Sequence, residues 1–235
     1  MVPLPLDDNV RRTTFWFATL IIIAANLYVF WIELSLGGQV DRLIFLYGVV
    51  PARYTTVRGL ALLTPAGFIV PIFASMFLHA GWVHVLGNML FLYVFGRTVE
   101  DRYGHIKFVL LYFLSGFAGA LLHIYINAGS RVPTIGASGA IAGVLGAYFV
   151  SAPRAWIKLT IFPLIFWTFK LPALLVLGYW FLIQFLAGYS QMFSVETATR
   201  GGGTAWWAHI GGFVSGMLLA MMIEPRRPRA IRLAD

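Results

Sequence analysis

The sequence contains no cysteine and few charged residues. Without cysteine the chain has no disulfide bond, no thiolate metal site and no cysteine nucleophile, although this does not identify a compartment. Asp, Glu, Lys and Arg make up only 11% of the 235 residues, whereas they account for roughly a quarter of an average soluble domain. Because 60% of the residues are hydrophobic, a water-soluble fold of this size would lack the charge to cover its surface. We therefore expect an integral membrane protein.

The charges that are present are mostly basic and give a formal net charge of +8. A nucleic-acid-binding protein gathers its Lys and Arg on one surface. Here they separate apolar runs, so we expect no nucleic-acid partner. Arg11 and Arg12 precede the apolar run Phe15–Ile32, an arrangement that also occurs in signal peptides. The run is long for that purpose and no A-x-A-like site follows it, so we interpret it as a first transmembrane helix.

Six apolar stretches have the character of membrane spans, since a hydrocarbon core about 30 Å thick needs roughly 20 mostly apolar residues per helix. They are Phe15–Ile32, Val83–Phe95, Phe108–Ile126, Ala137–Val150, Pro172–Leu186 and Trp206–Ile223. The predicted fold class is therefore all-α, a polytopic bundle of six transmembrane helices. Residues 1–14 are interpreted as a short cytoplasmic segment, residues 15–224 as the membrane domain and residues 225–235 as a basic cytoplasmic tail.

Two further apolar segments compete for the status of spans. Leu60–Leu78 contains two prolines, and Leu159–Phe169 is short and lies between two lysines. With six spans and a cytoplasmic N-terminus, twelve basic residues lie inside and five outside, which is the bias that membrane proteins show. A seventh span would destroy this bias. We expect both termini to be cytoplasmic in a bacterial cytoplasmic membrane, and the outer loop Leu34–Trp82 to lie partly in the membrane interface.

Four polar residues stand out in the apolar spans, where a polar side chain is costly unless it faces a partner or a cavity. His84 and Asn88 lie on one face of the second helix because they are four residues apart. Ser138 begins the fourth span and His209 lies near the start of the sixth. Under the six-span topology all four lie near the outer surface, at a similar depth of perhaps 5 to 10 Å.

Small residues would let the fourth and sixth helices approach each other closely. Gly212 and Gly216 share a face with His209, and Ser138, Ala142 and Gly146 share one on the fourth span. Such small-xxx-small faces are typical of close helix packing in membranes. They would bring Ser138 within reach of His209.

Ser138 and His209 would then suit acyl transfer, in which a serine needs a neighbouring base and imidazole serves at neutral pH. A carboxylate would complete a triad, but none of the nine acidic residues lies inside a predicted span at this depth. Glu196, in the outer loop before the sixth span, remains a candidate, so we predict a dyad. His84, Asn88 and the Ser138 backbone N–H would serve as oxyanion donors.

Other interpretations of these residues stay open. A serine in a Gly/Ala-rich helix is usually a packing residue, and a lone intramembrane histidine often bonds a backbone carbonyl. His79, His105 and His123 are more often structural. A transporter or channel would need His84 and Asn88 only as polar lining, and a metal or haem protein would use His79, His84 and His209 as ligands. No H-E-x-x-H motif is present, and we expect no metal and no cofactor.

The motifs resemble those of the rhomboid intramembrane proteases. The resemblance covers His79–Gly216 and rests on three signatures: the segment HAGWVHVLGN from His79 to Asn88, the GASGA segment from Gly136, and His209 with Gly212 and Gly216. It implies a Ser138/His209 dyad, an oxyanion site from His84 and Asn88, and single-pass membrane proteins as substrates. Family members that have lost activity lack the serine or the histidine, and a noncatalytic membrane chaperone is the alternative within this fold.

The sequence departs from the family pattern at two places. Val70 and Pro71 stand where some members have a Trp-Arg pair in the first outer loop. Ala142 stands where some members have an aromatic residue stacked on the catalytic histidine, so the sequence offers no explanation for the orientation of His209. Lipid is the expected environment, and the natural substrate and the oligomeric state stay open.

Overall fold

The described part of the chain is mostly helical, as predicted. A computed structural model describes residues 3–161, 164–193 and 205–223. Eleven α-helices occur within these ranges, and they are α1 Phe17–Ser35, α2 Val40–Tyr47, α3 Ala52–Thr55, α4 Val57–Leu62, α5 Pro65–Ala74, α6 Trp82–Phe91, α7 Arg97–Tyr103, α8 His105–Ile126, α9 Ser138–Ser151, α10 Ala173–Phe193 and α11 Trp206–Met222.

The helices differ in how well their length suits a membrane span. Three are long and apolar enough by themselves, namely α1, α8 and α10, and two shorter apolar helices are α9 and α11. The remaining predicted span, Val83–Phe95, corresponds to α6 and the π-helical segment Leu92–Gly96, which continues into α7. This unit meets Pro65–Phe77 at a bend of 87°. The count of six membrane crossings stays a prediction.

A small antiparallel sheet accompanies the bundle and was not foreseen in the all-α prediction. Its strands are β1 Pro3–Asp8, β2 Trp156–Ile161 and β3 Leu164–Pro172, in the order β1-β2-β3. Along β2 the side chains of Ile157 and Leu159 are buried while those of Trp156 and Lys158 are exposed, the period of two that a strand requires. The short apolar segment Leu159–Phe169 is therefore part of a strand pair, which agrees with leaving it out of the predicted spans.

The strand β1 is fixed to the bundle by the buried carboxylate of Asp8. Its Oδ2 accepts hydrogen bonds from Thr98 Oγ1 at 2.6 Å and from the Tyr148 hydroxyl at 2.9 Å. Its Oδ1 pairs with the Arg12 guanidinium at 2.6 Å. Since Thr98 lies on α7 and Tyr148 on α9, this one carboxylate joins the N-terminal segment to two helices.

The first transmembrane helix begins where a second carboxylate satisfies its free backbone donors. Glu100 accepts the N–H groups of Ala18 and Thr19 at 2.8 and 2.7 Å, which a helix start otherwise leaves without partners. The helix α1 continues to Ser35, three residues beyond the predicted end of the first span. The predicted boundary at Ile32 was therefore wrong, and Glu33 lies inside the helix.

Helices α9 and α11 approach so closely that glycine is required between them. A Cβ on Gly212 would lie 2.0 Å from the Gly139 carbonyl oxygen, and one on Gly216 would lie 2.0 Å from that of Gly143. On α9 the closest contacts are made by Gly139, Gly143 and Gly146. The predicted face consisted of Ser138, Ala142 and Gly146, so the two sets share only Gly146. The approach holds the N-terminal ends of the two helices, and hence Ser138 and His209, side by side.

The long connection after α1 is built of short helices packed on the rest of the protein. Its stretch from Val49 to Thr55 bonds to the loop that precedes α9: Val49 pairs with Thr134, and Gly129 donates its N–H to Thr55 Oγ1. Many apolar side chains of this connection are exposed, including Phe45, Leu46 and Leu60. That this loop lies partly in the membrane interface remains a prediction from the sequence.

Candidate active site

Ser138 is held at the first turn of α9 by an unusual backbone. Gly136 has φ +124°, a backbone conformation that residues with a side chain rarely adopt. A Cβ atom at this position would lie 2.7 Å from His84 Nε2. Gly136 also donates its N–H to the Ser75 carbonyl at 2.8 Å. The first bond of the helix runs from the Ile141 N–H to the Ala137 carbonyl, so the Ser138 N–H belongs to the first-turn donors that a helix leaves without an intrahelical partner.

Ser138 and His209 lie at hydrogen-bond distance. The Ser138 hydroxyl oxygen is 2.7 Å from His209 Nε2, although 71 residues separate them in the chain. His209 is only 8% exposed, so its ring is shielded from competing solvent. A serine hydroxyl that faces an unprotonated imidazole nitrogen at this distance has the geometry of nucleophile and general base.

The orientation of His209, which the sequence left unexplained, comes from α10. The Gln184 Oε1 atom is 2.7 Å from His209 Nδ1. The Trp180 ring lies one helical turn earlier, with its centroid 5.9 Å from that of His209 and the planes tilted by 36°. Gln184 and Trp180 therefore supply contacts to the His209 ring that the sequence could not assign to Ala142. Neither was singled out from the sequence, although Gln184 is a polar residue within the predicted span Pro172–Leu186.

His84 lies against Gly136 with one nitrogen free to donate. The Ala80 N–H donates to His84 Nδ1 at 3.4 Å, so in the neutral ring the hydrogen is on Nε2. This is the nitrogen that lies nearest to Gly136, two residues before Ser138. The arrangement directs an N–H donor toward the nucleophile, as an oxyanion site needs.

Asn88 is positioned by His79, a residue that the sequence analysis interpreted as structural. The His79 Nδ1 atom is 3.2 Å from the Phe77 carbonyl oxygen, which only accepts, so Nδ1 carries the hydrogen of the neutral ring. Nε2 is then an acceptor, and Asn88 Nδ2 donates to it at 3.0 Å. One amide hydrogen of Asn88 is thereby used for positioning and the second remains for a substrate.

Glu33, an acidic residue inside α1, fixes His79 in turn. Both carboxylate oxygens of Glu33 accept the His79 backbone N–H, each at 3.1 Å. Glu33 is 3% exposed and His79 is 2% exposed. The carboxylate holds the segment of His79 and does not contact His209. The signal in the sequence was an acidic residue directly after an apolar run.

A cavity lies beside Ser138, between α5, α8, α9 and the start of α11. Its walls are apolar apart from a few polar groups and include Ser75, Met76, Gly116, His123, Ile135 and Ala208. The His123 ring is held by the Thr134 hydroxyl at 2.8 Å. The cavity offers space for a small side chain next to the nucleophile.

The remaining candidates lie away from the nucleophile or beyond the described part. His105 contacts Glu100 at the start of α8, where a structural role suffices. Glu196 lies outside the described residues, as does the predicted tail of residues 225–235. Among the residues that are described, no three His, Asp or Glu side chains form a group that could hold a metal ion.

The site thus combines the groups that peptide hydrolysis requires. It has a hydroxyl nucleophile against an imidazole, two side-chain donors and a backbone donor at a helix start, and a cavity beside them. A carboxylate on the far side of the imidazole is replaced by the amide of Gln184. Orientation of the base in this site therefore depends on a neutral group.

Comparisons with known proteins identify the group to which this arrangement belongs. A family model described as the Rhomboid domain matches residues 67–226. The chain is 36% identical over 157 residues to RHOMBOID-like protein 1 of Arabidopsis thaliana, an alignment that covers 66% of this chain and 35% of that protein. It is 32% identical over 173 residues to Rhomboid protein 1, mitochondrial, of Saccharomyces cerevisiae, covering 70% of this chain and 46% of that protein.

These matches also bear on the predicted fold and location. The chain spans less than half the length of these two relatives. The family match confirms a polytopic helical membrane protein. The relatives come from a plant and from yeast, so the predicted bacterial cytoplasmic membrane gains no support from them and stays a prediction.

Proposed function

This chain belongs to the rhomboid family, and on that premise we propose that it is a serine endopeptidase that hydrolyses peptide bonds within the membrane. The observation that carries the proposal is the 2.7 Å distance between Ser138 Oγ and His209 Nε2 in a buried setting. In this mechanism Ser138 is the nucleophile and His209 is the general base. His84, Asn88 and the Ser138 backbone N–H bind the oxyanion.

The reaction proceeds by acylation and hydrolysis. His209 Nε2 takes the hydroxyl proton as Ser138 Oγ attacks the carbonyl carbon of the substrate, and the donors stabilise the negative charge on the carbonyl oxygen. The imidazolium then gives this proton to the leaving amine as the peptide bond breaks. A water molecule, deprotonated by the same nitrogen, releases the acid product and restores the serine.

The substrates that we propose are single-pass membrane proteins cut near the outer end of their span. A helix hides its carbonyl groups in hydrogen bonds, so the reacting segment has to enter extended. Small or helix-breaking residues favour that unwinding. The narrow cavity beside Ser138 supports a small side chain next to the cleaved bond.

We propose an orientation with both termini on the cytoplasmic side, on the basis of the twelve-to-five distribution of basic residues. Because the chain has no native cysteine, single cysteines introduced beside Arg131 and Arg154 can be labelled with a membrane-impermeant reagent in intact cells. We expect labelling beside Arg131 and none beside Arg154. The reverse result would place the site at the opposite surface.

The dyad is tested with Ser138→Ala, His209→Ala and the double variant, assayed on a reconstituted single-span substrate. Each single variant should cut no substrate, and the double variant should be no worse, because the two residues act as one unit. Ser215→Ala is the matched control, since this α11 hydroxyl bonds only to the Gly212 carbonyl of its own helix at 2.9 Å. Thermal unfolding is measured in parallel.

A second assay asks whether a fluorophosphonate labels the wild-type protein at Ser138. A transporter or a noncatalytic chaperone would show no labelling, and Ser138→Ala would leave its function unchanged. Full cleavage of the substrate by a folded Ser138→Ala protein would end the serine-protease proposal.

A further inference from the structure

Gln184 is a buried polar residue on an otherwise lipid-suited helix. Its neighbours Leu182, Ile183, Phe185 and Leu186 have between 39% and 55% of their surface exposed, whereas Gln184 has 6%. Its side chain therefore points into the protein, where Oε1 meets His209 Nδ1 at 2.7 Å. A polar group at this depth is costly unless it has a partner, and His209 is that partner.

We propose that Gln184 is a positioning residue that sets the tautomer and the orientation of the His209 ring. The inference rests on the proposed function, in which His209 is the base for Ser138. It assigns to the fifth transmembrane helix the task that a carboxylate has in serine proteases with a triad.

The tautomer follows from the chemistry of the amide oxygen. A carbonyl oxygen only accepts hydrogen bonds, so His209 Nδ1 carries the hydrogen and donates it to Gln184 Oε1. In the neutral ring Nε2 then has a lone pair, and this nitrogen faces the Ser138 hydroxyl at 2.7 Å. The opposite tautomer would donate from Nε2 to the serine oxygen and would have no lone pair to remove the proton.

Hydrogen bonds at both nitrogens also fix the ring in space. Ser138 on α9 holds one side and Gln184 on α10 holds the other, while Trp180 lies near one face. The glutamine differs from a carboxylate in being neutral, so it orients the base without adding a second charge to a buried site.

The test compares three variants of α10 with the wild-type protein. Gln184→Met keeps nearly the same length and removes the acceptor. Gln184→Glu keeps an acceptor at the same place. Leu186→Met introduces the same side chain on the same helix at a position where 55% of the residue surface is exposed. For each protein kcat and KM are measured on a single-span substrate, together with the rate of fluorophosphonate labelling at Ser138 and thermal unfolding.

Gln184→Met should lower kcat and the labelling rate by about tenfold to a hundredfold, because a buried N–H loses its acceptor, while KM stays within about twofold. Gln184→Glu should recover most of the loss, and Leu186→Met should match the wild type. Nitrogen-15 spectra of labelled histidine give a readout apart from catalysis. They should show Nδ1 of His209 protonated in the wild type and the other tautomer gaining in Gln184→Met.

Three results would overturn the inference. One is wild-type kcat and labelling in Gln184→Met. Another is equal loss in Gln184→Met and Gln184→Glu with lowered melting temperatures, which would mean that Gln184 only packs α10. The third is a wild-type His209 whose hydrogen is on Nε2. A wild-type protein that neither cuts nor labels, yet shows the expected Nδ1–H signal, would instead end the proposed function and leave the contact as structure.

Discussion

At the scale of single residues, the proposed oxyanion site depends on how each donor is oriented. Asn88 has two amide hydrogens, and His79 holds the amide plane by accepting one of them at 3.0 Å. His84 is oriented separately through its Nδ1 and the Ala80 N–H. Because the two donors are positioned by different neighbours, losing one should leave the other in place.

We therefore expect Asn88→Ala and His84→Ala each to lower kcat by roughly tenfold to a thousandfold while some activity remains. His79→Ala should lower kcat less than Asn88→Ala does, because the Asn88 amide is still present but has lost the hydrogen-bond acceptor that positions it. Initial rates on a single-span substrate, with melting temperatures, check this. Unchanged turnover in both donor variants would assign this face of α6 to structure.

The four polar residues could be found from the sequence because each is conspicuous in an apolar helix. Ser138 and His209 are brought together by a glycine contact that the sequence also indicated. Gln184 satisfied the same criterion but lies far along the chain from any motif. The contact between Glu33 and His79 was missed for a different reason, since a contact between the end of α1 and the segment before α6 depends on tertiary structure that local spacing does not encode.

At the scale of helices, the contact between α9 and α11 sets the distance between nucleophile and base. Backbone carbonyls of Gly139 and Gly143 occupy the space that side chains would fill on Gly212 and Gly216. Side chains rearrange readily but backbone atoms in a helix do not, so any added carbon has to push the helices apart.

Gly216→Ala should accordingly destabilise the protein by about 1–3 kcal/mol or more, and should reduce cleavage because the helix ends separate. Gly87→Ala is the control, since a Cβ on this helical glycine meets nothing within 4 Å. Gly87→Ala should leave the free energy of unfolding unchanged or raise it by up to about 1 kcal/mol, because alanine has a higher helix propensity than glycine. Melting curves in one detergent measure both changes, and equal curves for the two variants would contradict the packing argument.

Helix boundaries followed from the sequence only where composition changes sharply. The sixth span was placed well, because its apolar run follows a polar segment, whereas α8 begins at His105, three residues before the predicted start of the third span at Phe108. The fifth span was predicted to end at Leu186, yet α10 continues to Phe193. The sheet was missed since β1 contains two prolines and pairs with residues far along the chain, a contact that no local pattern reports.

At the scale of the whole molecule, the N-terminal segment is a structural part of the bundle. Asp8 bonds to α7 and to α9, and the Tyr148 that it contacts lies on the helix that begins with Ser138. The strand thus supports α9 from its opposite end, about 15 Å from Ser138, the proposed nucleophile, at 1.5 Å per residue.

Asp8→Ala should lower the free energy of unfolding by about 3–5 kcal/mol, because it leaves the hydroxyl groups of Thr98 and Tyr148 without their buried acceptor and removes the shorter ion pair of the partly buried Arg12. Asp41→Ala, at an exposed position in the first turn of α2, should change it by no more than about 0.5 kcal/mol. Melting temperatures of both variants, at equal protein and detergent concentrations, provide the comparison. Similar temperatures would mean that β1 is dispensable.

The pairing of β1 with β2 has a consequence for biosynthesis. Asp8 is paired with Ile157, so the strand leaves the ribosome about 150 residues before its partner exists. Four of the predicted spans are synthesised after β1 and before β2, so residues 3–8 have no strand to pair with during that time. A contact between residues so far apart in the chain also forms slowly. The sheet can therefore form only after the fourth predicted span has been synthesised.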